Sequence, residues 1–308
     1  MSESTAPLPL AVLEHAAVGA PITRAGVSLF PVYLFQPSDV SLLASSPATV
    51  EIAEVDQETV PTLTVTSTAD EPVLLVEGET VAGGLQQRCL NVSVLVPPRA
   101  RFEVPVSCVE AGRWGGSRGF SGTSGQTSRR VRRAKAEGVH RNLRRTGHKD
   151  SDQGAVWQSV DRELDRLDLP APTRNFADTD SLFGEGGQLG AALEELVVHG
   201  PLSGQCGVVI SHGSRVVAAE LFATPALLAA RWEPTVRAAM VDAPRDPRGR
   251  PSASRALRFL RRIGHAAAVE ANGVGLGVER HVRSKRLVGQ VLTWDDLVVH
   301  ASAFALAA

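Results

Sequence analysis

Six polar residues recur at strand-like spacing in the first third of the chain: Glu77, Glu79, Gln86, Arg88, Cys108 and Glu110. Carboxylates take up and release protons, a guanidinium grips phosphate, and a thiolate attacks electrophiles. Glu77, Glu79, Glu110 and Cys108 are therefore the candidate catalytic groups, and Gln86, Arg88, Arg113, Trp114 and His300 the candidate ligand-holding ones. Glu77, Glu79 and Glu110 also offer hard oxygen ligands suited to Mg²⁺ or Mn²⁺, although Arg88 opposes a cation at close range. Cys108 needs a cation or base, Arg88 or His300, to become a nucleophile. Anionic neighbours instead raise its pKa.

The elements that must position these groups read as three strands, 73–79, 86–96 and 101–110. A tight Pro97-Pro98-Arg99-Ala100 connection pairs Phe102 with Val94, Val104 with Val92, Val106 with Leu90, Cys108 with Arg88 and Glu110 with Gln86. A Thr80–Leu85 loop pairs Glu79 with Gln86, Glu77 with Arg88, Leu75 with Leu90 and Val73 with Val92. Both registers put one set of side chains on one face, because strand side chains alternate. That face is apolar from Val73 to Val106 and ionic at one end, which predicts a pocket or a solvated rim at the mouth of an antiparallel sheet. The plainer alternative is a cross-strand Glu77–Arg88 ion pair worth under about 1 kcal/mol, with Cys108 a small buried hydrophobe.

Residues 18–112 read as short β-branched strands, and residues 151–306 as mixed. Asp152–Leu167 and Gln188–Val198 carry helical stripes. Thr224-Pro225 and Pro251-Ser252 open two further helices, and the chain ends in strands. The expected fold class is α+β, with a β-rich antiparallel front half, sandwich or roll-like, and a mixed back half, as one domain over 8–306. Net charge is −1, but residues 113–149 hold eleven Lys/Arg against Glu137 alone, leaving the rest at −11. This Gly- and Arg-rich stretch, 115–149, reads as a flexible basic insert, with a helix over 128–145 weakened by Gly138. No signal peptide, no apolar run of roughly 18 residues and three scattered cysteines point to a reducing cytoplasm and no membrane.

Glu77-Gly-Glu79, Gly83-Gly84-x-Gln86-x-Arg88, Pro105-Val-Ser-Cys108-Val-Glu110-x-Gly112-Arg113-Trp114 and Gln153-x-x-Val156-Trp157 resemble the ARG- and rhodanese-phosphatase-superfamily-associated protein domain family. Gly207-Val-Val, Glu220-Leu-Phe222, Gly275-Leu-Gly277-x-Glu279-Arg280, Val299-His300 and Phe304 extend the resemblance over most of the chain. It implies a place in ADP-ribose or nucleotide metabolism and supplies positions without a reaction.

Three functions stand open. The cluster binds, and as an enzyme hydrolyses, a phosphorylated small molecule. It captures a ligand without turnover, as a sensor or adaptor. Or residues 115–149 grip nucleic acid or assemble copies of the chain as a homo-oligomer. The bland reading of that segment is a solvated loop, or a strap on acidic surface of its own chain or a neighbouring subunit. Gly273-x-Gly275-x-Gly277 lacks a following helix and reads as a sheet turn, as does Ser211-His-Gly-Ser214. A lone His300 in an apolar strand is more often structural than a ligand.

Overall fold

The computed structural model describes residues 11–36, 40–55, 61–113, 115 and 119–306. The fold is α+β, rich in antiparallel sheet. Two compact units form: Met1–Val40 with Glu185–Asn272 and Gly277–Ala308, and Ser41–Gly184 with Gly273–Leu276.

In the second unit a six-stranded sheet runs in the order Phe120–Gln126, Glu79–Gly83, Arg88–Leu90, Arg101–Cys108, Thr62–Ser67, Val50–Glu54. Its edge strands come together through an Ala53–Gly119 bridge, so the sheet curls around its own apolar face. Val50, Ile52, Leu63, Val65, Val81, Leu90, Val104 and Val106 fill the inside. Alternation of β-branched residues places them there. A smaller sheet joins Val94–Val96, Val73–Leu75 and Leu43–Ala44.

The expected long strands 73–79 and 86–96 are each broken in two. A turn at Glu77-Gly78 separates Val73–Leu75 from Glu79–Gly83, and Asn91–Ser93 separates Arg88–Leu90 from Val94–Val96. Val106–Leu90 and Cys108–Arg88 pair as the spacing predicts. The other hairpin is displaced by four residues: Val81 lies opposite Arg88, and Leu75 opposite Val94. An even slip keeps every side chain on its face, so the apolar surface survives while the Glu77–Arg88 and Glu79–Gln86 pairings do not. Phe102 and Val104 face Val65 and Leu63 instead of Val94 and Val92.

The basic stretch is part of this unit's framework rather than a loose insert. Phe120–Gln126 pairs with Glu79–Gly83, and Arg129–Thr146 is a helix that buries Val131, Val139 and Leu143, as well as Arg132 and Lys135. Gly138, which weakens the helix by propensity, is where the segment at Ser151-Asp152 crosses: a Cβ there would meet the Asp152 backbone nitrogen at 2.5 Å. The helix Gln153–Leu167 follows, capped by Asp152, whose carboxylate accepts from Ala155 N at 3.1 Å.

The first unit is one nine-stranded antiparallel sheet, with Val27–Tyr33, Gly207–His212, Arg215–Phe222, Leu297–Ala305, Leu287–Trp294 and Val278–Arg283 at its centre. The helix Ala253–Gly264 packs Phe259, Leu260 and Ile263 against Phe30, Val209, Leu221, Val291 and Ala301. Pro225–Val241 starts at Thr224 as predicted, the threonine hydroxyl accepting from Leu227 N at 3.2 Å. In the predicted Gly-x-Gly-x-Gly turn, Gly275 and the second-unit segment Gly273–Leu276 allow a close backbone approach. Leu276 N donates to Leu95 O at 2.8 Å, and a Cβ on Gly275 would lie 2.1 Å from that same oxygen. No described helix is long and apolar enough to cross a membrane.

Candidate functional site

The polar residues of the second unit separate into two groups. The first is the Val76–Glu79 turn, closed by Glu79 N donating to Val76 O at 3.0 Å. Gly78 adopts φ +77°, and a Cβ there would press on the Arg132 side chain at 2.7 Å, so only glycine fits. The Glu79 carboxylate folds back to accept from Val76 N at 2.8 Å and from the Ser45 hydroxyl. Glu77 reaches the basic helix instead. It accepts from Arg132 Nε at 2.8 Å and from Lys135 Nζ, while Lys135 also donates to Leu90 O. All three side chains are buried, at 1%, 4% and 0% exposed. Burial pushes the Glu77 carboxyl up, but the charges and hydrogen bonds of Arg132 and Lys135 outweigh it and bring the pKa down to about 2. Glu77 and Glu79 are thus committed to holding a turn and a helix.

The second group sits where Cys108 leaves the sheet. Gln153 brackets the strand edge as a neighbouring strand would, Oε1 accepting from Cys108 N at 2.9 Å and Nε2 donating to Cys108 O at 2.8 Å. The Cys108 thiol donates to Gln86 Oε1 at 3.2 Å and Glu110 O at 2.8 Å, and Gln86 Nε2 donates to Glu110 O at 3.0 Å. Arg88 is fully buried beneath them, giving Nη1 to Gln86 O at 2.9 Å, with Nη2 4.0 Å from Glu54. Burial raises the Cys108 pKa, against the lowering influence of a Glu110 backbone hydrogen bond, the Arg88 charge and the Trp157 indole. Cys108 is therefore a protonated donor within this network. Burial works against the expected thiolate nucleophile, because a buried sulfur is costly to ionise.

Glu110 carries the open end. Arg113 grips its carboxylate with Nε at 2.9 Å and Nη2 at 2.7 Å, and Gln87 N adds a third donor at 3.0 Å. Arg113 is itself fixed by Gly84 O at 3.1 Å and Gly115 O at 2.8 Å, yet its side chain stays 33% exposed. Residues 173–176 run alongside: Gly112 N donates to Thr173 O at 2.8 Å and Phe176 N to Val109 O at 2.9 Å. A Cβ on Gly112 would meet the Thr173 backbone at 2.9 Å. This pairing delivers Asp178, in the 3-10 turn Phe176–Leu182, to Glu110. Burial pushes Glu110 up, but Arg113, Gln87 N and Thr173 hold it below the usual carboxylate range. Burial and the Glu110 charge push Asp178 above it. Two acids with pKa values driven apart are the arrangement of an acid–base pair. Glu54 Oε2, Gln87 Oε1 and Asp178 Oδ2 are buried with no hydrogen-bond partner among the described residues.

Residues 15–304 match the family model of the ARG and Rhodanese-Phosphatase-superfamily-associated Protein domain. The chain belongs to this family. No curated protein and no solved structure matches it. The stretch from Pro105 to Arg113 supplies Cys108, Glu110 and Arg113 to the open end just described, and Gln153 and Trp157, one helical turn apart, flank it from the next helix.

Of the predicted residues, Gln86, Arg88, Cys108, Glu110 and Arg113 come together. Glu77 and Glu79 do not join them, and Trp114 lies outside the described residues. The proposed Glu77, Glu79, Glu110 set for Mg²⁺ or Mn²⁺ is not assembled, since each carboxylate is drawn to its own cations or N–H groups. No group of three His, Cys, Asp or Glu among the described residues is placed to hold a metal ion. His300 belongs to the other unit, buried with Nε2 3.1 Å from Glu220 and its ring 4.9 Å from Phe222. Asp178, Glu54 and Gln87 were not legible as site residues. Gln153 and Trp157 carried a signal, their i, i+4 spacing on one helix face.

Proposed function

We propose that the Cys108–Glu110 end of the second unit binds a phosphorylated small molecule of the ADP-ribose or nucleotide type and cleaves it with water. Asp178 gives its proton to the leaving oxygen, and water adds to the electrophilic centre. The water's proton passes to solvent, from which Asp178 is recharged. The Glu110 carboxylate fixes Arg113, and its charge favours the protonated form of Asp178. The exposed edge of the Arg113 guanidinium then meets the anion. The observation that supports this reading is the raised Asp178 beside a lowered Glu110, with Asp178 Oδ2 unpartnered among the described residues. The family's association with phosphatase-like proteins agrees with a phosphate-bearing ligand.

The test is a melting and turnover screen with ADP-ribose, NAD and mononucleotides, run beside Asp178→Asn. A ligand at about 100 times its dissociation constant adds about 2.7 kcal/mol of stability. The reading requires a melting shift in both proteins and product only from the unsubstituted one. A shift without product in either makes the site a sensor, and product from Asp178→Asn at the full rate removes the acid assigned here.

A further inference from the structure

The strongest concentration of exposed charge in the first unit lies on the loop and helix from Arg245 to Arg262, where seven arginines stand against Asp246 alone. The loop is held in one place. Ser214 N donates to Arg248 O at 2.9 Å. Three glycines in the left-handed region let the chains meet: a Cβ on Gly26 (φ +77°) would lie 2.4 Å from Pro247, one on Gly213 (φ +56°) 2.3 Å from Arg248 O, and one on Gly249 (φ +75°) 2.8 Å from Ser214. Arg248 and Arg250 are therefore presented from a fixed backbone just ahead of the helix Ala253–Gly264.

That helix divides cleanly. Ala256, Phe259, Leu260 and Ile263 face the core, and Arg255, Arg258, Arg261 and Arg262 are exposed on the other side. It contains no acidic residue. Arg255 donates to Ser214 O at 2.8 Å, tying the helix to the same turn that holds the loop. The spacing from Arg255 through Arg258 to Arg262 is three and four residues, one stripe with steps of about 4.5 and 6 Å.

We propose that this strip is a docking surface for the phosphate backbone of duplex nucleic acid, read without regard to sequence. Charge complementarity favours a dense row of phosphates, since a duplex carries one negative charge per about 1.7 Å of axis. A membrane surface is the poorer fit, because a helix lying in lipid needs an apolar face to insert and this one spends its apolar face on the core. The exposed large hydrophobics among the described residues are Phe35, Val198 and Leu202, none of them on the strip. Single strands are the poorer fit because they stack on aromatic side chains, and the exposed side of this helix has none.

The experiment is fluorescence anisotropy of a labelled random-sequence duplex of about 20 base pairs, titrated with full-length protein at several salt concentrations from about 50 mM upward. Arg258→Gln/Arg261→Gln/Arg262→Gln is compared with Arg144→Gln/Arg145→Gln, which removes exposed charge from the other basic helix. Binding is expected to fall with salt. The triple variant, folded by circular dichroism, should weaken it and lower the log–log salt slope by about 2.7, at about 0.9 for each phosphate no longer neutralised. The double variant should match the unsubstituted protein. Equal binding by the triple variant, absence of duplex binding at the lowest salt, or retention on anionic phosphatidylserine vesicles but not on duplex would each overturn the proposal.

Discussion

Glu77 and Glu110 occupy the same unit, each gripped by an arginine and each held below its ordinary pKa, yet their surroundings differ. Glu77 is enclosed by two cations, Arg132 and Lys135, and the three together are buried. Glu110 has one bidentate arginine, one-third exposed, and shares its surroundings with a second carboxyl, Asp178, whose pKa burial and the Glu110 charge push up. A carboxylate outnumbered by cations ties elements together. A carboxylate beside a second acid makes that acid's proton harder to lose. Charge balance around each acid, more than residue type, distinguishes the two.

The largest effect should come from breaking the enclosed cluster. Glu77→Gln leaves two buried cations uncompensated and is expected to cost about 3–5 kcal/mol in urea unfolding. A cost near zero would place Glu77 with Glu110 rather than apart from it. At the open end, Asp178→Asn should lower turnover by about 10²–10⁴-fold while leaving stability unchanged or raised at neutral pH, since the amide needs no ionisation in a buried position. Loss of both fold and activity together would erase the distinction.

Replacing Gly78 with alanine tests the turn between them. The φ of +77° alone costs about 1–2 kcal/mol, and the displaced Arg132 adds to it. Acid titration sharpens the same contrast. Because Glu77 is lowered from 4.5 to about 2, its contribution is complete above pH 4.5 and is lost as pH falls through about 2. Glu77→Gln should flatten that part of the stability curve. The smallest effect concerns Cys108. It is buried with a raised pKa, so iodoacetamide at pH 7 should label it only after unfolding. Rapid native labelling would restore the nucleophile.

Side-chain alternation made the curled sheet's inner face readable, and even a four-residue slip left that face intact because the period is two. The Cys108–Arg88 pairing was readable for the same reason. The Glu77-Gly78 turn was not, since a glycine inside a β-branched run looks like a weak strand position until Arg132 is seen packed over it. The basic helix was legible as a helix but not as a partner: its eight Lys and Arg residues hide the two, Arg132 and Lys135, that a buried carboxylate selects. Asp178 could not be found from spacing, because it reaches Glu110 through a bridge between Glu110 and Asn175, 65 positions apart in the chain.

The two large sheets also differ in when they can form. The six strands of the curled sheet and both helices beside it lie within residues 50–167, so a growing chain has made all of them before residue 185 is added. In the other unit Val27–Tyr33 must wait for Gly207–His212, and Arg215–Phe222 for Leu297–Ala305. During synthesis the early strand of that sheet spends the whole manufacture of its neighbour unit with an unsatisfied hydrogen-bonding edge, and the sheet closes only when the last nine-residue strand has emerged.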